Sequence, residues 1–511
     1  MLRFFRRRSA ADRPHPAAPW RLDAPLLRWP EGDDWTLADA FAGTLILGAT
    51  GSGKSSGSGR TLALRMLAAG FGGLVLTAKA DERAAWEAYC REARRSDDLL
   101  IFDAGAALRF NFLDYELNRP GAGSGHTENI VNVFSTVLEV AERNGPGGGR
   151  EDEGYWKRAL RQLLRNLVDL LSMATGAVSV PDLYRLAISA PTSVDQARSQ
   201  PWRESSFCFA CLQRADALPR SPRQESDFAL VADYFLVEFP ALSDKTRSVI
   251  LSTFTSMADV LNRGLLRELF CTDTNVTPTA VEQGKIVLFD LPAKEFSEVG
   301  VFAQVLWKFA FQRSIERRVV NDDTRPAFLW ADEAQHFITR YDMQFQTTCR
   351  AARVATVYLT QNVSNVYAAL GGGEKGRAEA DSLFGNLCTK VLHANGDPTT
   401  NEWAATLIGR TRQCLASGNT TQPADWVSHA LGLGGSAQSS GGFSEAFEFE
   451  LQPAVFTRLR SGGVSAEGWI DAIVVRSGRR FSDGRIWKRV TFRQELDRSK
   501  RAPARGTTTD A

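Results

Sequence analysis

Short apolar runs alternate with amphipathic segments along the first hundred residues of the chain. Thr44–Leu47 is a β-branched and apolar run that ends at a glycine, which predicts a buried strand. A helix is predicted from Lys54 to about Ala69. Further strands are expected at Gly73–Thr77 and Leu99–Asp103, with a helix between them. This alternation is typical of a parallel α/β sheet.

The pattern becomes helical from residue 127 to about residue 271. One apolar face recurs there at helical spacing and consists of Trp156, Leu160, Leu163, Leu164, Leu167, Leu170 and Leu171. Another helix is predicted from about Asp244 to Leu261. We therefore expect an all-α domain over residues 127–271, inserted into the α/β fold.

Strands return after this helical block. They are predicted at Ile286–Asp290, Ala327–Asp332, Val354–Leu359 and Lys390–Leu392. The α/β domain then comprises residues 35–126 and 272–497. Residues 1–34 are predicted to be a flexible basic segment, and residues 498–511 a disordered basic tail.

Composition indicates a folded protein and leaves its partner open. At about 150 residues per domain, 511 residues suggest two to four domains. A charged fraction of 23% beside 43% hydrophobic residues argues against global disorder. The net charge of +2 neither requires nor excludes a nucleic-acid partner, so a prediction of nucleic-acid binding must rest on local clusters of basic residues.

No window has the roughly 20 apolar residues of a membrane span. Seven scattered cysteines, an odd number, favour a reducing cytoplasm over a disulfide framework.

The first candidate site directly follows the first predicted strand. The segment from Gly48 to Ser55 fits the pattern G-x-x-x-x-G-K-[ST], in which backbone N–H groups surround phosphate oxygens. In such a loop Lys54 reaches the β- and γ-phosphates of ATP, and the Ser55 hydroxyl ligates Mg²⁺. A Gly/Ser-rich linker is the alternative, but the strand–loop–helix context favours nucleotide binding. The predicted nucleotide-binding residues are Gly48, Ala49, Thr50, Gly51, Ser52, Gly53, Lys54, Ser55 and Ser56.

Two later strands end in polar residues that suit the same chemistry. Asp332 and Glu333 follow one strand, where Asp332 would hold the Mg²⁺ shell and Glu333 would orient or activate the attacking water. A solvated acidic pair is the alternative. Gln361 follows the next strand, and its amide would sense the γ-phosphate or position water.

A candidate arginine finger precedes that last strand. Arg350 or Arg353 would stabilise the negative charge that develops on the transferred phosphoryl group. Arg353 lies closer to the strand and is expected to pack against it, so Arg350 is the preferred candidate. A surface arginine paired with a carboxylate is the alternative.

Taken in order, these motifs resemble the FtsK/HerA superfamily of DNA-pumping ATPases. Within it the chain is most similar to the type IV secretion, or conjugative, coupling proteins of the TraG/TraD class. Gln361 lies 28 residues after Glu333, as in that family. Three other segments resemble family motifs: Thr77–Glu82, Asn111–Asp114 (with Phe112 where proline is usual) and Asp397–Glu402. The resemblance covers roughly residues 40–490.

The resemblance implies a RecA-like P-loop core and an ATPase that translocates DNA as a homo-hexamer, with active sites at subunit interfaces. It also implies that Arg350 reaches the neighbouring subunit's ATP. A relaxase or cargo adaptor and membrane-embedded secretion subunits would be partners. Family members usually carry two N-terminal transmembrane helices, and none is predicted here. We therefore expect a cytoplasmic protein, either recruited to the inner face of the membrane by a separate subunit or working away from the channel.

Two other functions stay open at this stage. One is a DNA-remodelling motor of the HerA/FtsK kind that is not tied to secretion. The other is a nucleotide-gated adaptor that recruits protein cargo. DNA-stimulated ATP hydrolysis would distinguish either motor from the adaptor.

A basic helix face is the candidate DNA contact. Arg158, Arg161 and Arg165 fall on one face of the helix that starts near Tyr155, opposite its leucines. Such a face would follow phosphates, and a solvated basic surface is the equal alternative.

Overall fold

The computed structural model describes residues 20–144, 153–421 and 438–494. Thirteen strands occur among these residues: β1 (Pro25–Arg28), β2 (Asp34–Thr36), β3 (Thr44–Leu47), β4 (Gly72–Leu76), β5 (Leu99–Asp103), β6 (Ile286–Asp290), β7 (Ala327–Ala331), β8 (Val354–Thr360), β9 (Thr389–Leu392), β10 (Arg410–Thr421), β11 (Gln438–Phe449), β12 (Trp469–Arg476) and β13 (Trp487–Arg493). The seven strands predicted from residue 44 to residue 392 are all confirmed, within a residue or two of their expected ends.

The helices before the return of the strands are α1 (Leu37–Phe41), α2 (Arg60–Ala68), α3 (Asp81–Glu92), α4 (Phe112–Asn118), α5 (Thr127–Asn144), α6 (Glu153–Thr175), α7 (Val180–Ser189), α8 (Val194–Arg198), α9 (Gln200–Ser205), α10 (Phe207–Ala217), α11 (Pro222–Asp233), α12 (Phe239–Ala241), α13 (Asp244–Leu261) and α14 (Gly264–Phe270). The later helices are α15 (Ala293–Glu316), α16 (Arg340–Thr348), α17 (Val363–Ala369), α18 (Gly373–Asn386), α19 (Pro398–Ile408) and α20 (Pro453–Thr457).

The main sheet has nine strands in the order β13-β12-β9-β3-β8-β7-β4-β6-β5. The strands β8, β7, β4, β6 and β5 are all parallel, with Leu76 of β4 opposite Ala331 of β7. β12 and β13 form an antiparallel pair, which makes the sheet mixed. The predicted α/β class with a mostly parallel sheet is confirmed.

The helical block confirms the predicted apolar face. α6 packs against α5, α7, α10 and α13. Its leucines are the reason, because Leu163, Leu164 and Leu167 are at most 1% exposed. Within the described ranges no single helix is both long and apolar enough to cross a membrane. The segments Arg158–Thr175 and Val180–Ser189 are long and apolar enough only when they are taken together, and the chain bends by 109° between them.

The described residues divide into two compact units. The first contains the chain up to Leu45, Gly59–Thr360 and Asn365–Thr389, and the second contains Ile46–Ser58, Gln361–Ser364 and the chain from Lys390 onward. The helical block lies inside the first unit, so its independence as a domain stays a prediction.

The prediction for the N-terminal segment differs from the structure. A flexible segment was expected over residues 1–34, but residues 25–36 form the antiparallel pair β1–β2. Trp20 already contacts the fold, since its Nε1 donates to the carbonyl of Ala69 at 3.0 Å. The predicted tail at residues 498–511 lies outside the described residues.

Candidate nucleotide-binding site

The predicted phosphate-binding loop lies between a strand and a helix, as expected. β3 ends at Leu47, and the loop continues through Gly48 to Gly53. The following helix differs from the prediction in its first turn, because Lys54–Gly59 is a π-helical turn that precedes α2. Single π turns inside helices are frequent at functional sites.

Glycine is required at several positions of this loop. Gly51 and Gly53 have φ values of +76° and +84°, which side chains rarely adopt. A Cβ on Gly53 would lie 2.4 Å from Cδ1 of Ile470 in β12. A Cβ on Gly48 would lie 2.3 Å from the Oγ of Ser52. Side chains of the second unit therefore pack directly against the backbone at Gly48 and Gly53. At Gly51 the positive φ alone favours glycine.

A buried histidine contacts the π-helical turn near its end. His393 directly follows β9, and its Nε2 lies 2.7 Å from the Oγ of Ser58. The Ser58 hydroxyl also donates to the carbonyl of Lys54 at 3.2 Å. Burial lowers the pKa of His393 to about 4, and the positive charge of Lys54 acts in the same direction. His393 is therefore neutral near pH 7, and sequence reasoning missed it because a lone histidine carries no motif.

Gln361 is held through its backbone by residues of the segment after β9. The Nδ2 of Asn395 donates to the Gln361 carbonyl at 2.8 Å, and the Nδ2 of Asn401 donates to the Asn395 carbonyl at 2.9 Å. Two residues later, the N–H of Val363 donates to the Oγ1 of Thr400 at 3.1 Å. The Asp397–Glu402 motif thus fixes the backbone of residues 361–363 and caps α19 through Asp397.

The acidic pair lies in the first unit, directly after β7. Asp332 and Glu333 are 6% and 3% exposed, so the solvated-pair alternative does not describe them. Glu333 has φ +48° and ψ +49°, and its N–H donates to Asp332 Oδ1 at 2.8 Å. A left-handed conformation at a residue other than glycine costs about 1–3 kcal/mol and is frequent at active sites.

Polar side chains surround the Glu333 carboxylate. Lys79 Nζ lies 2.9 Å from Oε1, and Gln335 Nε2 donates to Oε2 at 3.0 Å. Gln335 in turn accepts a 2.8 Å hydrogen bond from Thr360 Oγ1 at the end of β8. The ends of β4, β7 and β8 therefore meet around Glu333.

Glu82 is the third carboxyl group of this cluster. Burial raises the pKa of Glu82 to about 8, with a further increase from the negative charge of Asp332 and an opposing effect from Lys79. Its carboxyl oxygens accept from the N–H groups of Ala78 and Lys79 at 3.3 and 3.2 Å. The lysine-plus-acid motif of Thr77–Glu82 thus brings Lys79 to the acidic pair.

The two candidate arginine fingers have different environments. Arg353 is 7% exposed, forms an ion pair with Asp322 at 3.2 Å, and donates to backbone carbonyls that include that of Trp20. It is therefore a structural residue, as expected. Arg350 is exposed after α16, and within the described residues no hydrogen bond or ion pair engages its guanidinium. Its role in a neighbouring subunit stays a prediction.

The candidate DNA-binding arginines also differ in their environments, because two of them are bonded to a neighbouring helix and one is exposed. Arg161 donates to Ser135 and Asn132 and forms an ion pair with Glu128 at 3.2 Å. Arg165 also donates to Glu128, at 2.5 Å. Both join α6 to α5, whereas Arg158 is exposed. A DNA contact by this face stays a prediction.

Solved structures of known proteins have a fold similar to that of this chain. No family model matches the chain, and no curated protein matches it either. Among solved structures, the bacterial conjugative coupling protein TrwBdeltaN70 in its unbound monoclinic form is similar with a TM-score of 0.59 and 16% identity, covering 94% of this chain and 90% of that one. The fold is that of TrwB. Its RecA-like P-loop core and all-α region are those that the sequence resemblance implied.

Two other TrwB structures contain nucleotides. TrwB in complex with the non-hydrolysable ATP analogue ADPNP has a TM-score of 0.57 and 16% identity, covering 94% of this chain and 92% of that one. TrwB in complex with ADP and Mg²⁺ has a TM-score of 0.56 and 15% identity, covering 92% and 88%. At this level of identity the likeness to TrwB shows the fold alone.

Proposed function

We propose that this protein is an ATP-hydrolysing motor that binds and translocates DNA. The loop from Gly48 to Ser55 carries the proposal, because it fits the pattern G-x-x-x-x-G-K-[ST] directly after β3, and its Gly51 and Gly53 have positive φ values. Glycines with such φ values let backbone N–H groups turn inward around phosphate oxygens. The TrwB fold supports the proposal, since TrwB is a coupling protein.

ATP and Mg²⁺ are the proposed ligands. The loop N–H groups and Lys54 would bind the phosphates, and Ser55 with Asp332 would hold the metal ion, which neutralises charge on the phosphates. The residues fit these ligands: Asp332 is a poorly exposed carboxylate at a strand end, and Lys54 and Ser55 begin the π-helical turn that follows the glycine-rich loop. The complexes of TrwB with ADPNP and with ADP and Mg²⁺ support the choice.

Glu333, Gln361 and Arg350 are the proposed catalytic residues. Glu333 would accept the proton of the attacking water or orient it, which is the usual task of a carboxylate beside the metal ligand. Gln361 would position the water or sense the γ-phosphate. Arg350, whose guanidinium is exposed, would stabilise the charge on the phosphoryl group of a neighbouring subunit.

The partners follow from the coupling-protein resemblance. We propose a homo-hexamer that binds DNA in part through the helix face of Arg158, Arg161 and Arg165. It would deliver DNA with a relaxase or cargo adaptor to membrane-embedded secretion subunits. The proposed location is the cytoplasm, with recruitment to the inner face of the membrane.

Displacement of a triplex-forming strand from duplex DNA tests translocation directly. The full-length protein should displace the strand with ATP and Mg²⁺ but not with a non-hydrolysable analogue. Lys54→Ala should fold normally, bind nucleotide weakly and displace nothing, because Lys54 supplies the positive charge on the phosphates. ATP hydrolysis that DNA does not stimulate, together with no displacement, would favour the cargo-adaptor alternative.

A further inference from the structure

Lys79 bridges the two acidic residues that follow β7. Its Nζ lies 2.9 Å from Glu333 Oε1 and 3.9 Å from Asp332 Oδ2. The side chain of Lys79 is 31% exposed, whereas those of Asp332 and Glu333 are 8% and 3% exposed. The ammonium group therefore covers a pair of buried carboxylates from the solvent side.

Strand register places this lysine. Leu76 of β4 is opposite Ala331 of β7, so the segments that leave both strands begin side by side. The carboxyl oxygens of Glu82 then accept hydrogen bonds from the backbone N–H groups of Ala78 and Lys79. Asp332 Oδ1 accepts from the Glu333 N–H, which holds the left-handed turn of Glu333. Both sides of the ion pair are thus fixed by backbone hydrogen bonds.

We infer that Lys79 is a positioning residue that occupies the cation position of the acidic pair until the metal ion binds. This inference rests on the proposed function. Asp332 is the proposed metal ligand, so the ammonium group and a divalent cation compete for the same negative charge. A Glu333 oxygen that is paired with an ammonium group is also a poor base for water. Binding of the metal ion would displace Lys79 from Asp332 and free Glu333 for its task.

Magnesium binding measured by thermal unfolding tests this inference. Lys79→Met keeps the length of the side chain and removes its charge. We expect the metal-free, nucleotide-free Lys79→Met protein to unfold at a lower temperature than wild type, because the buried carboxylates lose one cationic partner. Its Mg²⁺ concentration for half-maximal stabilisation should fall by roughly 5- to 150-fold, the usual range for coupled sites. The same shift should appear with ADP at saturation.

Arg83→Met is the matched control. Arg83 is 37% exposed and forms ion pairs with Asp290 and Asp103, at the ends of β6 and β5. Its removal deletes a comparable ion pair at strand ends and leaves Asp332 and Glu333 unchanged. We expect it to leave the Mg²⁺ midpoint at the wild-type value. Lys79→Gln, which keeps a donor for Glu333 without the charge, replaces Lys79→Met if that variant does not fold.

The results separate this inference from the proposed function. An unchanged or higher Mg²⁺ midpoint in Lys79→Met, in a protein that still binds and hydrolyses ATP, would overturn the inference and leave the motor proposal standing. Failure of both wild type and Lys79→Met to bind Mg²⁺ with ADP would overturn both. A midpoint that falls equally in Arg83→Met would show a general charge effect and would also overturn the inference.

Discussion

The side chain of Asn395 donates a 2.8 Å hydrogen bond to the backbone carbonyl of Gln361. The two residues follow different strands, β9 and β8. Asn395 is 6% exposed, and Asn401 holds its carbonyl in turn. The position of a proposed catalytic glutamine thus depends on a segment more than 30 residues further along the chain.

Asn395→Ala should lower turnover while nucleotide affinity stays close to wild type. Loss of one hydrogen bond costs about 0.5–1.5 kcal/mol. If that cost falls on the placement of Gln361, kcat should decrease by up to roughly tenfold. Steady-state kinetics with ATP measures kcat and KM separately. Asn118→Ala, which removes an exposed asparagine bonded to Asp114, is the control. An unchanged kcat in Asn395→Ala would show that Gln361 needs no such support.

Gly53→Ala should destabilise the protein more than Gly51→Ala. Both positions have positive φ, but only the Gly53 Cβ would meet Ile470, since nothing lies within 4 Å of a Cβ on Gly51. Overpacking of this kind costs about 1–3 kcal/mol beyond the backbone strain. Urea unfolding of both variants measures the difference.

The double variant Gly53→Ala/Ile470→Ala isolates the contact. Shortening Ile470 makes room for the new methyl group, so the combined cost should be smaller than the sum of the two single costs. Strictly additive costs would mean that the contact does not limit residue 53.

Replacing Arg158, Arg161 and Arg165 together by alanine should weaken DNA binding and flatten its salt dependence. The slope of log K against log salt is negative, and it becomes less steep by about 0.9 for each phosphate that the protein no longer neutralises. Binding of labelled DNA over a range of salt concentrations measures this slope. Glu128→Gln is the control, because it breaks the ion pairs of Arg161 and Arg165 while it keeps all three cations. A slope that stays the same in the triple variant would exclude this helix face as a phosphate contact and leave Arg161 and Arg165 with the packing of α6 against α5.

Arg350→Ala and Lys54→Ala should each be inactive alone and regain part of the ATP hydrolysis when mixed. A Lys54→Ala subunit still offers its Arg350 to an intact loop in the neighbouring subunit. Arginine fingers contribute about 10³- to 10⁵-fold in rate, so even partial recovery is measurable. Arg353→Ala should instead lower stability, since Arg353 is bonded to Asp322 and to Trp20. A mixture that co-assembles and remains inactive would exclude the trans role.

Hydrophobic pattern and motif spacing predicted the sheet strands through residue 392, because buried strands of this sheet are continuous apolar runs. The loop at Gly48–Ser55 and the acidic pair were predictable for the same reason, since each follows such a run. The strands β10 to β13 were not predicted. In β13 buried and exposed residues alternate, and several of them are Lys or Arg. The strand is therefore not a continuous apolar run that the hydrophobic pattern would show.

Contacts between distant segments were also beyond the sequence. His393 and Asn395 follow β9, and they contact Ser58 and Gln361, which are distant in sequence. These contacts depend on the position of β9 in the sheet. The ion pair of Lys79 with Glu333 depends on the register of β4 and β7. Spacing along one chain gives no measure of such register, so the motif at Thr77–Glu82 was recognised without its partner.

ATP turnover by Glu333→Gln, measured beside its nucleotide affinity in the presence of DNA, tests whether this protein hydrolyses ATP through Glu333. We expect Glu333→Gln to bind ATP as tightly as wild type, because the amide keeps the shape of the side chain. Turnover should fall by about 10²- to 10⁴-fold, the usual contribution of a general base. Near-normal turnover with normal affinity would exclude Glu333 as the base and assign the attacking water to another residue.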